Sequence, residues 1–218
     1  MSKPSFNKVP VSVVVLTKNE EGRLRACLDS VAGWVDEIVV VDDESADRTV
    51  DIAREYTERV FSHKTDVHGR QRNWADSQAR NAWVLSLDVD ERVTQELKEE
   101  IINLLEKGVL VNGYTIPRKN YIGDYWVRHG GWYPSAQLKL FRKDMFQWEE
   151  VDVHCRAFLK GNCGHLKGDI LHYSYRNMED FFAKLNRQTS SEARKWFNQG
   201  KPMRLGRFIW RAIDRFCR

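Results

Sequence analysis

The chain has 218 residues, with 35 Lys plus Arg against 31 Asp plus Glu, a formal net charge of +4 and 42% apolar residues. That length buries a full core without disulfide staples, in one large domain or two small ones. The composition excludes a disordered chain, and no apolar run nears the roughly 20 residues of a membrane span.

Met1–Pro10 lacks the apolar stretch of a secretory signal, so a cytoplasmic location is expected. The four cysteines read as reduced thiols. Val11–Thr17 (VSVVVLT) is an unbroken β-branched run, suited to a parallel strand buried on both faces. Leu24, Cys27, Leu28 and Val31 follow at helical spacing. Glu37–Asp42 is a second buried strand. Ser45 or Asp47 is placed to cap the next helix, with Val50, Ile52, Ala53 and Tyr56 facing inward. Arg59–Ser62 reads as a strand, residues 69–80 as a helix, and Trp83–Asp88 as a strand. Leu97, Ile101, Leu104 and Leu105 mark a helix capped by Thr94. This β-α alternation predicts an α/β fold, a mostly parallel Rossmann-like sheet flanked by helices.

After about Asn112 short strands dominate: Gly113–Lys119, Tyr121–Val127, Gln137–Arg142 and Ile170–Tyr175. A long helix, Met178–Asn198, follows, with Phe181, Phe182, Leu185 and Trp196 available to pack. One continuous domain is expected over 1–218. It comprises a nucleotide-binding half (about 9–111), an acceptor half (about 112–199) and a basic tail (200–218). Arg194–Arg218 holds eight basic residues and one acid, so the rest of the chain is net acidic. In the tail, Leu205, Phe208, Ile209, Ala212 and Phe216 share one helical stripe, and Trp210 falls off it. Such a helix suits an anionic membrane surface or docks on the body of the protein. An acidic body argues against nucleic acid as a partner.

Open α/β sheets bind ligands at the carboxyl ends of their strands. Here those ends carry Thr17, Lys18, Asn19 and Glu20, then Asp42 and Asp43, then Asp88, Asp90 and Glu91. Acids gathered at one rim repel unless a cation or hydrogen-bond donors offset them. Asp88-Val89-Asp90 sets two carboxylates on one side of an extended segment, a geometry suited to Mg²⁺ or Mn²⁺ with phosphate oxygens. No G-x-G-x-x-G or G-x-x-x-x-G-K-[ST] occurs, so a diphosphate would rest on metal and basic side chains. Arg70, Arg72 and Asn73 are the nearest suppliers. His154 and His172 either complete a metal site or are structural histidines. His154, Cys155, Cys163 and His165 lack the C-x₂-C spacing of structural zinc.

VSVVVLTKNEE, EIVVVDDESADRTV, GRQRNWA and WVLSLDVDERV resemble the N-terminal half of a family 2 glycosyltransferase with the GT-A fold. RHGGWYPSAQLKLFRK, VDVH and ILHYSY resemble the bacterial subgroup that adds glucose or a similar sugar to the inner core of lipopolysaccharide or lipooligosaccharide. The resemblance implies an inverting hexosyltransferase using a UDP-sugar donor. It also implies a lipopolysaccharide core or other glycolipid acceptor at the inner face of the bacterial inner membrane. Carried over by position, Thr17 and Glu20 contact the nucleoside, Asp42 the base or ribose, and Arg72 with Asn73 the donor. Asp88, Asp90 and His154 would serve the metal and diphosphate.

The general base is expected in Trp148-Glu149-Glu150-Val151-Asp152, with Glu150 first and Glu149 second. The chain has Cys155 where the subgroup carries an acid, and Ser135 where it carries Asp. Trp126, His129, Gly130, Gly131, Trp132 and Tyr133 form an expected acceptor lip, with Arg128, Lys139 and Arg142 available to phosphates. A polyprenyl-phosphate sugar transferase and a noncatalytic sugar-nucleotide or glycolipid binding module are the competing readings.

Overall fold

The computed structural model describes residues 8–151 and 155–200, together with 205–206, 209–210 and 213–214. His154 lies outside the described residues, as do Phe208, Ala212 and Phe216 of the expected tail stripe. In chain order the elements are β1 (Val9–Thr17), α1 (Leu24–Asp29), β2 (Val35–Asp42), α2 (Thr49–Arg54), β3 (Val60–Ser62) and α3 (His68–Ser77). Then come β4 (Trp83–Asp88), β5 (Glu91–Val93), α4 (Gln95–Lys107), β6 (Gly113–Ile116), β7 (Arg118–Ile122), β8 (Tyr125–Trp126) and β9 (Gln137–Arg142). The last are β10 (Phe146–Trp148), β11 (Ala157–Leu159), β12 (Cys163–His165), β13 (Ile170–Tyr175) and α5 (Met178–Asn198).

Two compact units result. One holds the chain up to Pro117 together with Ala136–Ile170; the other holds Arg118–Ser135 and the chain from Leu171 onward. The sequence reading instead divides the chain at residue 112. The difference arises because β9 runs antiparallel between β4 and β6 and returns residues 137–142 to the first unit's sheet.

The first unit is built on seven strands in the order β12-β6-β9-β4-β1-β2-β3. β1 pairs in parallel with both β2 and β4, and β2 with β3. Alternation along β1 explains its unbroken apolar run. Val9, Val11, Val13 and Val15 enter one core with Leu24 and Leu28 of α1 and Leu97 and Ile101 of α4. Val14 enters the opposite core with Val39, Val41, Ala75 and Phe141. A strand covered on both faces needs no polar side, which is why β1 and β2 read as solid hydrophobic runs. Parallel register then sets Thr17 beside Asp42, Leu16 beside Asp88, and Asp42 beside Ser62. Four polar strand ends meet along one edge as a consequence.

Capping differs in one place from the sequence reading. Thr94 caps α4 as expected, its hydroxyl accepting from the Leu97 N–H at 3.2 Å. Asp47 accepts the Thr49 N–H at the start of α2. Ser45 caps nothing; it donates to Asp42 instead.

In the second unit β8 pairs antiparallel with β7, and β13 lies on β7's other side. Tyr121 stacks on Tyr173 with centroids 5.0 Å apart, and Phe181 of α5 meets Tyr175 edge-on at 5.0 Å. Phe182 and Leu185, expected to pack, are exposed.

Gly168 faces the first turn of α4 so closely that a Cβ there would lie 2.4 Å from the Leu97 Cα. Gly168→Ala is therefore expected to lower stability by about 1–3 kcal/mol. Gly22→Ala meets nothing within 4 Å and should stay within about 0.5 kcal/mol of the parent. Denaturant unfolding of both variants checks the pair.

Candidate active site

The carboxyl-end edge of the first unit's sheet opens into a cavity of about 340 Å³, walled by Thr17, Lys18, Glu20, Asp43, His68 and Gln71 among others. Two loops form its rim and are laced together. The Asn19 N–H donates to Ser45 Oγ at 2.8 Å, the Ala46 N–H to Asn19 Oδ1 at 2.8 Å, and the Glu20 N–H to Thr49 Oγ1 at 2.8 Å. The Glu21 N–H reaches Asp47, and the Arg48 N–H reaches Glu21. Asn19 and Glu44 adopt left-handed backbone angles, φ 52° and 54°. Such strain in non-glycine residues persists only where surrounding bonds hold it.

Thr17 and Asp42 lie where the sequence places them. Thr17 is buried and lines the cavity, and its hydroxyl has no hydrogen-bond partner among the described residues. Asp42 is also buried; one oxygen accepts the Ser45 N–H at 2.8 Å and the other the Ser45 hydroxyl. Glu20 is a wall residue, 3.9 Å from the Arg23 guanidinium.

Below the cavity lies an ion-pair cluster. Arg72 Nη2 donates to Asp88 Oδ1 at 2.6 Å, and Lys139 Nζ donates to Asp88 Oδ2 at 2.8 Å. Lys139 also donates to Glu91 Oε2 at 2.7 Å, and that oxygen accepts the Asp88 N–H at 2.9 Å. Lys139 and Glu91 are almost fully buried. Desolvation pushes the Asp88 carboxyl upward, but the two cations outweigh it and hold the group well below the usual carboxylate range. Arg72 is covered by the Trp148 ring, 4.8 Å from its guanidinium carbon.

These contacts revise three expectations. Lys139 was expected to meet phosphates; it is sealed inside the cluster, because two carboxylates neutralise it there. Asn73 was expected to hold the donor. Both ends of its side-chain amide bind the Trp148 backbone, donating to O at 3.0 Å and accepting from N at 2.8 Å, so it clamps α3 to β10. Asp88 was expected to ligate metal; each of its oxygens already accepts from a protein cation.

A metal site using both Asp88 and Asp90 therefore does not fit. Among the described residues no group of three His, Cys, Asp or Glu is arranged to hold an ion. A site with one carboxylate and several phosphate oxygens, common for Mg²⁺, requires only Asp90. Its Oδ2 lies 4.0 Å from the Arg23 guanidinium.

The two base candidates follow β10. Glu149 forms a forked pair with Arg156 at 2.7 and 2.9 Å, and Glu150 accepts from Arg70 Nε at 3.0 Å. Gly69 lets the start of α3 touch this segment: its N–H donates to Val151 O at 3.1 Å, and a Cβ would sit 1.9 Å from Glu149 O. Glu150 is thereby held next to α3's first turn, where His68 lines the cavity. His172 lies in the second unit, with Nδ1 2.7 Å from Asn120 Oδ1 and 3.0 Å from Ser174 Oγ, the surroundings of a structural histidine. In the same unit Arg128 and Lys119 lie over the Trp126 ring at 4.5 and 5.2 Å, and Tyr133 meets that ring edge-on.

Comparison with known proteins points one way. The family model "Glycosyl transferase family 2" matches residues 12–165. The lipopolysaccharide core biosynthesis glycosyltransferase LpsC of Rhizobium meliloti is 26% identical over 218 residues, covering 97% of this chain and 80% of that protein. An uncharacterized glycosyltransferase of Rickettsia typhi is 28% identical over 209 residues, covering 88% of this chain and 69% of that protein. Among solved structures, S. aureus TarS 1-349 superposes with a TM-score of 0.56 at 21% identity, over 79% of this chain. This chain spans 62% of that one's length. The same protein in complex with UDP gives a TM-score of 0.51 at 24% identity, over 64% of this chain and 50% of that one. These likenesses show the GT-A fold.

Two measurements test the site's electrostatics. Asp76 is buried and accepts from Trp148 Nε1 at 2.8 Å. Burial raises its carboxyl to about 7, against the opposing pull of Trp148, Arg72 and Lys139. The folded state then binds a proton that the unfolded state has released, so stability falls as pH rises from about 4 through 7. The slope is at most about 1.4 kcal/mol per pH unit. Urea unfolding at pH 6 and pH 8 should show this loss, and Asp76→Asn should flatten it. Separately, Lys139→Met leaves the buried Glu91 without its cation, while Asp88 keeps Arg72, and should cost about 3–5 kcal/mol. Adding Glu91→Gln should recover part of that loss in a double-mutant cycle.

Proposed function

The chain belongs to glycosyl transferase family 2, and from that premise we propose that it moves a hexose, glucose by resemblance, from a UDP-sugar to a lipopolysaccharide core acceptor with inversion. The observation that carries this reading is the cavity at the carboxyl ends of the parallel strands, lined by Thr17, Lys18, Glu20 and Asp43. UDP and UDP-GlcNAc complexes of TarS, which shares the fold, support a nucleotide-sugar donor. The name of the LpsC relative supports the acceptor class.

Inverting transfer is a single displacement. The acceptor oxygen bonds to the anomeric carbon as the bond to the phosphate oxygen breaks, and the nucleoside diphosphate departs with the electron pair. One carboxylate removes the acceptor proton. Glu150 is the lead for that task and Glu149 the second choice. Lys18 at the cavity wall, an exposed side chain paired with Asp43 at 2.7 Å, is the cation that can turn to the diphosphate, while Arg72 is held by Asp88 and Trp148. A bound Mg²⁺ or Mn²⁺ would add Lewis-acid stabilisation of the leaving group, with Asp90 as the protein residue to hold it.

The reading extends to a membrane surface. No helix among the described residues is long and apolar enough to cross a bilayer. Leu205, Ile209, Trp210 and Ile213 are exposed in the basic C-terminal segment. That combination favours contact with the anionic inner face of the bacterial inner membrane, where a lipid-linked acceptor is found.

Sugar nucleotides that bind the native state raise its melting temperature. UDP-glucose is expected to stabilise the protein, with a further rise in Mn²⁺ that Asp90→Ala removes. In transfer assays on core acceptor, Glu150→Gln should lower kcat about 100-fold or more with UDP affinity retained. No stabilisation by any nucleotide sugar would overturn the donor-site reading.

A further inference from the structure

His68 opens α3 and lines the cavity, yet neither the family motifs nor the sequence reading assigns it a role. One helical turn on, Arg72 places its Nε 3.0 Å from the Nε2 of His68. The guanidinium Nε always carries hydrogen, so it donates. Nε2 must therefore accept, and the neutral ring carries its single proton on Nδ1. The guanidinium cannot turn away, because Asp88 holds Nη2 at 2.6 Å and the Trp148 ring covers its face. Flipping the imidazole would set a carbon against the Arg72 donor and lose the bond. Desolvation and the nearby Arg72 charge both hold His68 below the ordinary histidine range, with Asp88 opposing, so the ring is neutral at neutral pH.

The Nδ1–H has no partner among the described residues. Thr17 and Lys18 line the same cavity, the Lys18 ammonium paired with Asp43 at 2.7 Å. The acids Glu20, Asp43 and Asp66 line it too, so the Nδ1–H of His68 is a donor that no carboxylate in the wall has taken. A neutral donor gains strength as negative charge builds on the group it faces, so it acts more on the departing diphosphate than on the intact sugar nucleotide.

We propose that His68 contacts the substrate, its Nδ1–H donating to a diphosphate oxygen of the nucleotide sugar, with Arg72 fixing the tautomer. The proposal rests on the nucleotide-sugar reading of the cavity. It makes His68 a specificity residue for the diphosphate rather than for the nucleoside.

Two measurements on the full chain test it. Long-range ¹H–¹⁵N NMR of the imidazoles in the free protein should show His68 as the Nδ1–H tautomer. Calorimetry should then compare UDP with uridine on the parent, His68→Phe and His68→Asn, each first checked for an unchanged melting transition. His68→Phe should weaken UDP about tenfold or more and leave uridine unchanged. His68→Asn, which keeps a side-chain donor, should recover part of the loss. An Nε2–H ring, an unchanged UDP affinity, or equal weakening of UDP and uridine would each overturn the proposal. If the parent binds none of UDP, GDP or dTDP, the cavity reading itself falls and takes the proposal with it; the tautomer result would still stand on its own.

Discussion

The pairing of Lys139 with Asp88 and Glu91 governs the rest of the site. A parallel sheet ends its strands at one edge, and here that edge gathers acids. Left alone they would repel and each would resist ionisation. The chain answers from the opposite direction: β9 runs back along β4, past the pairing of Leu85 with Leu140, and brings a lysine to the edge from inside the sheet. Arg72 arrives from α3 on the other side of Asp88. Two cations and two carboxylates close a cluster whose members each satisfy another, with Lys139 and Glu91 sealed from water and Asp88 at its open side. Such clusters add little net stability over a well-packed apolar core, but they punish any rearrangement that unpairs one member. The result is a fixed carboxylate, a fixed guanidinium and, through the guanidinium, a fixed imidazole.

The rim above the cluster is rigid for a different reason. Its two loops donate backbone N–H groups to each other's side chains at five points, from Asn19 to Ser45 and from Arg48 to Glu21. Loop groups that would otherwise turn to water are satisfied within the rim. Left-handed angles at Asn19 and Glu44 follow from that mutual constraint. A wall so built keeps its shape before a ligand arrives, which spares binding the ordering cost of two free loops. Thr17 is the exception, since its buried hydroxyl has no hydrogen-bond partner among the described residues, an unfavourable state for a polar group.

Much of this was legible in the residues. The strands β1, β2 and β4, the helix α4 with its Thr94 cap and the convergence of Thr17, Asp42 and Asp88 follow from unbroken β-branched runs, apolar spacing and parallel register. Periodicity is strong where both faces of a strand are buried. What the sequence hid was long-range pairing between polar residues. Lys139 sits in Gln137–Arg142 among residues of every polarity, and nothing local says that it turns inward to acids about 50 positions upstream. Asn73 looks like a ligand-binding amide until β10 folds against it. His68 stands just before the GRQRNWA stretch and outside it, and its tautomer becomes readable only from the distance to Arg72. Glycines were similarly silent: Gly69 matters because Glu149 passes within contact of its missing side chain, a fact of tertiary approach.

The departure at Cys155 looks less damaging in three dimensions than in one. The Cys155 thiol donates back to Val151 O at 3.0 Å, and the same carbonyl accepts the Gly69 N–H. The segment after β10 is thus drawn against the first turn of α3 by bonds that do not need an acid at position 155. Glu149 and Glu150 are its described carboxylates, and their partners differ in kind. Arg156 grips Glu149 through two nitrogens from the same short segment, a forked geometry that resists release. Arg70 meets Glu150 through Nε alone, on an exposed side chain where a single-contact ion pair is weak. A general base must exchange its partner for an acceptor hydroxyl in each turnover. On that ground Glu150 is the better fitted of the two. In the proposed reaction, proton abstraction would then fall to Glu150 without an acid at position 155.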